Sequence, residues 1–194
     1  MSLPEIIGTA AGIGFLAGIR LYATVFVLGM LIRFQVIQLT EQFEPMLHLA
    51  SLPVLITAFV LAGLEFVSDK IAWLDSIWDT VHTFVRPIGA VVLAVTSVSS
   101  MDPGLRTALA LMMGTAALSS HTAKSATRVA VNHSPEPVSN IFVSLAEDLF
   151  LPLGMWLTFH YPLVVLGLVV AFVAAMIWSI RKIIRFLRMR KARA

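Results

Sequence analysis

The chain has no cysteine. Disulfides, thiolate metal sites and cysteine nucleophiles are therefore excluded. Charge is scarce as well: 13% of its 194 residues are Asp, Glu, Lys or Arg, about half the roughly 25% of a soluble domain. No polar stretch is long enough to build a core of its own, which excludes a separate soluble domain. No Walker loop, His-Glu-x-x-His or Gly-x-Ser-x-Gly string occurs, so no enzyme motif is present and the chain is expected not to be an enzyme. The opening Met1-Ser2-Leu3-Pro4-Glu5 lacks the basic region of a signal peptide. The apolar run behind it is too long for one, so a retained first helix is expected.

What is present is hydrophobic sequence: 58% of the residues, with a mean hydropathy of +0.89. Apolar runs near 20 residues point to a polytopic all-α membrane protein. Six segments are expected, at about 5–33, 51–70, 84–101, 104–131, 138–159 and 161–183. The basic residues crowd towards the end: Arg181, Lys182, Arg185, Arg188, Arg190, Lys191 and Arg193 are seven of the 14. Such a cluster beside an apolar helix reads as cytoplasmic and suits contact with anionic lipid. Six spans with a cytoplasmic tail at 184–194 place the N-terminus in the cytoplasm too, and the 34–50 loop, with Glu41 and Glu44, outside. No fold is present to offer the tail to nucleic acid.

The two halves, 1–102 and 103–183, look related. Gly14-Phe15-Leu16-Ala17 resembles Gly114-Thr115-Ala116-Ala117, Pro53-Val54 resembles Pro137-Val138, Glu65 falls in the place of Glu147, and Thr83-Phe84-Val85-Arg86-Pro87 resembles Thr158-Phe159-His160-Tyr161-Pro162. A repeat of three spans has to insert its second copy upside down. Two inverted three-helix repeats are therefore expected, with a site where they meet near the midplane.

Charges inside the apolar runs are the candidates for that site, because a carboxylate at bilayer depth costs about 2.5–3.5 kcal/mol and needs a use or a partner. Glu65 and Asp69 share one helix face and suit one hard cation or a shared proton. Glu147 and Asp148 are adjacent, so only one faces a given cavity directly, and Pro152 frees the carbonyl of Asp148. Glu65, Asp69 and Glu147 are the candidate metal ligands. Arg20 lies in the first run. His121, Lys124 and Arg128 follow i, i+3, i+7 and make a basic stripe, suited to an anion or to acting as counter-charge. A purely structural ion-pair network is the alternative for all of these. Asp75, Asp79, His82 and Arg86 follow i, i+4, i+7, i+11 opposite Ile71, Leu74, Trp78, Val81 and Val85, which predicts an interfacial amphipathic helix over 71–83 with a solvated charged face. Between segments four and five, Asn132 to Asn140 reads as a turn or a gate, with Ser139 or Asn140 as helix cap and Asn140 also a candidate ion-binding residue. The stripes Gly8-x-x-x-Gly12 and Gly14-x-x-x-Gly18 predict close helix packing.

Five strings together, Gly18-Ile19-Arg20-Leu21-Tyr22, Glu65-Phe66-Val67-Ser68-Asp69-Lys70, His82 to Pro87, Ser134 to Asn140 and Ala146-Glu147-Asp148, resemble a bacterial integral-membrane family labelled domain of unknown function 4126. The resemblance implies a bacterial inner-membrane protein and brings no activity with it. Glu65 to Lys70 is also similar to the Glu-x-Gly-Asp-Lys/Arg-Ser/Thr string of small two-repeat cation/proton exchangers, with one residue more and no glycine. The expectation is a small transporter or exchanger of an ion or small polar solute, with no cofactor beyond a bound cation, among membrane lipids and as a homodimer. Binding or translocation of an anionic lipid headgroup by Arg20, His121, Lys124 and Arg128, or a non-transporting scaffold, are the other readings.

Overall fold

The computed structural model describes residues 1–132 and 137–191, and among these every regular element is helical. In chain order they are α1 (Leu3–Ile19), α2 (Leu21–Arg33), a 3₁₀ segment (Glu41–Ala50), α3 (Leu52–Ser68), α4 (Ala72–Ser97), α5 (Pro103–Asn132), α6 (Pro137–His160) and α7 (Pro162–Lys191). Local chemistry sets several of the ends. Ser2 precedes α1 and its backbone N–H donates to the Glu5 carboxylate at 2.7 Å, one arm of a capping box. Asp102 precedes α5 and accepts from the N–H groups of Gly104 and Leu105 at 2.8 and 3.1 Å, with Pro103 at the first helical position, where its missing donor costs nothing.

The first apolar run is two helices, not the single span expected over 5–33. Arg20 leaves helical geometry at φ −146°, ψ 92°, and α2 returns alongside α1. Thr40 Oγ1 donates to Met1 Sδ at 3.7 Å; had α2 continued in line, its far end would lie about 45 Å from Met1, beyond the reach of the residues between Arg33 and Thr40. Leu28 and Ile32 accordingly share one core cluster with Ile6 and Ala10. The 3₁₀ segment then closes that end of the bundle. Its buried side chains are Phe43, Met46 and Leu49, and a spacing of three is the one that keeps residues on one face at three residues per turn.

The central helix is α5. Phe15 C=O accepts from Ser120 Oγ at 2.7 Å and Ile19 C=O accepts from Lys124 Nζ at 3.3 Å, so α1 and α5 run in the same direction. The glycine stripe permits this approach: a Cβ at Gly14 would strike Met113, and one at Gly18 would strike Ala117 and Ser120. Gly8 and Gly12 meet Pro162, Thr158 and Val165 in the same way, which places α7 parallel to α1 and α6 antiparallel to it. The inverted-repeat reading made α1 and α5 equivalents of opposite direction, and their parallel packing corrects it: the shared small residues serve their mutual contact.

Among the described residues, three helices are long and apolar enough to cross a membrane: Trp73–Ser97, Ile141–His160 and Pro162–Arg185. The 3₁₀ segment with α3, bent by 71°, makes a fourth if the two are one broken span. That is fewer than the six segments expected, because α1 and α2 are short and because Ser119, Ser120, His121, Lys124 and Arg128 dilute the hydropathy of α5. The extra reversal at Arg20 also separates the termini. Met1 lies level with the start of α7, whereas Lys191 lies beyond the opposite end of the bundle, so the chain does not begin and end on one side as expected.

Helix α4 overturns a second expectation. The amphipathic piece and segment three form one helix running through Pro87, and its charged face is not solvated. Asp75, Asp79, His82 and Arg86 are all buried, while Trp73, Ile77, Val81, Phe84, Ile88 and Val92 are exposed. A helix that turns its charges inward and its aromatics outward suits lipid around it, not water.

Candidate functional site

The charged face of α4 meets charges from α3, α5 and α6, from Asp69 and Lys70 just after α3, and from Arg20 between α1 and α2. Asp69, which follows α3, is fully buried. Its Oδ2 lies 2.9 Å from Arg20 Nη2, 3.0 Å from Lys124 Nζ and 3.5 Å from Arg128 Nη2. Glu147 on α6 faces the same three cations, with its Oε2 at 3.7, 3.2 and 2.9 Å from the same atoms. Asp148 reaches Arg20 at 3.1 Å and Lys70 at 3.8 Å. Two carboxylates thus share one set of three cations, with a third at the rim.

Backbone places these cations. Lys124 Nζ donates to the Ile19 carbonyl at the end of α1, and Arg128 Nη1 donates to the Asp69 carbonyl at the end of α3, at 2.9 Å. Both are helix C-termini, where carbonyls lack intrahelical donors and the dipole favours a cation. Arg20 Nη2 also approaches Ser144 Oγ at 3.2 Å, and Lys70 Nζ reaches that hydroxyl at 3.1 Å. Ser144 is therefore a polar seat for α6 between two cations.

A second group adjoins the first. Arg86 Nη2 donates to Glu65 Oε1 at 2.8 Å, and neither side chain has any exposure. Arg86 Nη1 reaches Asp79 Oδ1 at 3.3 Å and His121 Nδ1 at 2.6 Å. Because a guanidinium only donates, Nδ1 of His121 is the acceptor and its proton sits on Nε2. That nitrogen faces Thr83 Oγ1 at 3.1 Å and Ser125 Oγ at 3.4 Å, and Ser125 donates to Asp79 Oδ2 at 3.0 Å. His82 stacks on Trp78 at 4.5 Å between ring centroids and contacts Tyr22 Oη at 3.2 Å.

The structure brings together eight of the residues singled out in the sequence: Arg20, Glu65, Asp69, His121, Lys124, Arg128, Glu147 and Asp148. The side chain of Asn140 and the turn at 133–136 lie outside the described residues. Of the candidate metal ligands, Glu65 is engaged by Arg86, while Asp69 and Glu147 meet around Arg20, Lys124 and Arg128, so each is engaged by side-chain cations. Among the described residues no group of three or more His, Asp or Glu is placed to hold a metal ion. His121 belongs with Arg86, not with the Lys124–Arg128 pair. Arg86, Asp79 and Ser144 are site residues that pattern alone missed. The signal for the first two was their spacing, with the inward sense of the face unassigned.

A family profile described as Domain of unknown function (DUF4126) matches residues 7–182. The chain belongs to that family. The matched range takes in both charged groups, from Arg20 to Asp148, so the network lies wholly within the DUF4126 domain. No curated protein and no solved structure matches the chain.

Proposed function

We propose that this DUF4126 protein is a membrane carrier for a small ion or polar solute, working through the charged core at the seam between α6 and the rest of the bundle. The observation that carries this reading is the sharing of Arg20, Lys124 and Arg128 between Asp69 and Glu147. When Glu147 takes a proton or a solute cation, Arg20 keeps Asp69 and Asp148, and Lys124 and Arg128 keep Asp69 and the carbonyls of Ile19 and Asp69, so each cation retains an acceptor. The seam is made to part: Phe142 and Leu149 face outward at 73% and 74% exposure, and the first half of α6 is held through Ser144, Glu147 and Asp148. Glu65 Oε2 and Asp69 Oδ1 accept no hydrogen bond and are buried, which leaves acceptor atoms for a proton or a cation.

In this reading the basic end of α7 faces the cytoplasm of a bacterial inner membrane, and the N-terminus lies on the other side. The repeat in this reading is α2–α4 against α5–α7, with Glu65 and Glu147 within the oppositely directed helices α3 and α6. No catalytic step is proposed. The test is charge movement on a solid-supported membrane, with proteoliposomes challenged by a panel of cations and anions across a pH step. A current in the wild type that is lost in Glu147→Gln supports the carrier; no current with any solute overturns it.

A scaffold is the second reading, favoured by the saturation of Lys124. Its three donors are all used, by Ile19, Asp69 and Glu147, as expected of a strut. It predicts no flux, and it predicts that neutralising both partners of a pair restores the folding lost when one is removed. The same saturation disfavours an anionic lipid headgroup held by Arg20, His121, Lys124 and Arg128, since a new anion would have to displace a carboxylate.

A further inference from the structure

Among the described residues, the charged core is one cation short. Glu65, Asp69, Asp75, Asp79, Glu147 and Asp148 are six carboxylates, and Arg20, Lys70, Arg86, Lys124 and Arg128 are five permanent cations. An unmatched charge away from water is costly, so one added proton brings the core to balance. The acidic excess lies on the α4 side, where Arg86 serves both Glu65 and Asp79.

Two buried histidines, His82 and His121, stand on that side among the described residues, and their hydrogen bonds set them apart. His121 Nδ1 accepts from the Arg86 guanidinium at 2.6 Å, so a second proton on this ring has to evict Arg86 Nη1. His82 has no such obstacle. Its Nδ1 lies 2.8 Å from the Trp78 carbonyl, which only accepts, so Nδ1 carries the hydrogen of the neutral ring. Its Nε2 lies 3.2 Å from Tyr22 Oη and accepts the phenolic hydrogen. A hydroxyl oxygen accepts as well as donates, so a proton added at Nε2 finds its acceptor already in place. The Tyr22 hydrogen has to rotate away. Glu65, whose charge bears on both Tyr22 and His82, keeps a buried Oε2 that accepts no hydrogen bond. Trp78 lies flat against the His82 ring, at 4.5 Å between centroids and 19° between planes, and an aromatic face favours a cation. The charges that face His82 are Glu65 from α3 and Asp79 and Arg86 from its own helix, two acids to one base.

We propose that His82 is a proton-binding site of the charged core: Nε2 takes the proton, Tyr22 Oη turns from donor to acceptor, and the core reaches charge balance. This goes beyond the carrier reading and does not depend on it, because a scaffold with the same core would bind the same proton.

The experiment is NMR of the full chain carrying isotope-labelled histidine in lipid nanodiscs, titrated from about pH 8 to about pH 4. His82→Gln and His121→Gln assign the two buried rings. Both ring nitrogens of His82 should become protonated, while His121 keeps an unprotonated Nδ1 to a lower pH. Tyr22→Phe removes the acceptor that waits for the Nε2 proton and should lower the His82 midpoint by about one pH unit, the worth of one charge-assisted hydrogen bond. A wild-type His82 that keeps an unprotonated Nε2 across the whole range overturns the proposal, and so does a His121 that charges first. An unchanged His82 midpoint in a folded Tyr22→Phe overturns it as well.

Discussion

The Glu65–Arg86 pair offers the sharpest test of how the core is held together. Both side chains are fully buried and 2.8 Å apart, and Arg86 also serves Asp79 and His121. Replacing Arg86 by Met strands two buried carboxylates, and breaking a buried pair in this way costs about 3–5 kcal/mol. For a chain of this size that corresponds to a loss of about 6–20 °C in apparent Tm. Glu65→Leu should cost less, at the low end of that range, since Arg86 keeps Asp79. The double variant Glu65→Leu/Arg86→Met removes both charges and leaves Asp79 with its bond from Ser125 Oγ. It should therefore be more stable than the sum of the single losses by about 2–3 kcal/mol. The assay is a double-mutant cycle read by thermal melting in mild detergent. Losses that add to within about 0.5 kcal/mol would refute the reasoning, because groups more than 7–10 Å apart behave that way and contacting charges do not.

Other consequences are open to direct measurement. Gly18→Leu should cost about 1–3 kcal/mol or more by overpacking, because its side chain would meet Ala117 and Ser120, whereas Gly63, with nothing within 4 Å of its Cβ position, should gain about 0.5–1 kcal/mol when changed to Ala; equal melting of the two variants counts against the α1–α5 contact. Since there is no native cysteine, single cysteines report without background: Ser2→Cys and Arg188→Cys in sealed vesicles should react with an impermeant maleimide from opposite faces, and labelling from one face would remove the Arg20 turn. Ser144→Ala should weaken the seating of α6, raising amide hydrogen exchange in its first half while the melting of the remaining bundle changes by about 1 kcal/mol or less, the worth of an ordinary hydrogen bond.

Much of the site was legible because charge in an apolar run is conspicuous. Arg20, Glu65, Asp69, Lys124, Arg128, Glu147 and Asp148 stand out against their neighbours, and one layer of the bundle gathers them. The reading of Asp79 and Arg86 failed for a definite reason. A period of 3.6 places residues on a common face but does not say which medium that face meets, and the default that charge faces water inverts inside a bilayer. The turn at Arg20 had no signal either. Gly18-Ile19-Arg20-Leu21-Tyr22 contains no proline, and its glycine is helical; the break is held by tertiary partners, Lys124 on the Ile19 carbonyl and Asp69 on the Arg20 side chain. The likeness of Gly14–Ala17 to Gly114–Ala117 was a true observation with a different cause, since two helices that pack closely both need small residues at the crossing.

The sharing of cations between Asp69 and Glu147 also bears on how the chain is made. Arg20 is synthesised 49 residues ahead of Asp69, about 2–10 s at 5–20 residues/s. Lys124 and Arg128 then arrive ahead of Glu147, so for a further interval the three cations lack one of the two carboxylates they share. On the carrier reading, helices α1 to α5 released one by one into lipid would leave charge exposed to it. The last carboxylates of the network arrive with α6, so the final step of assembly is the delivery of counter-charge.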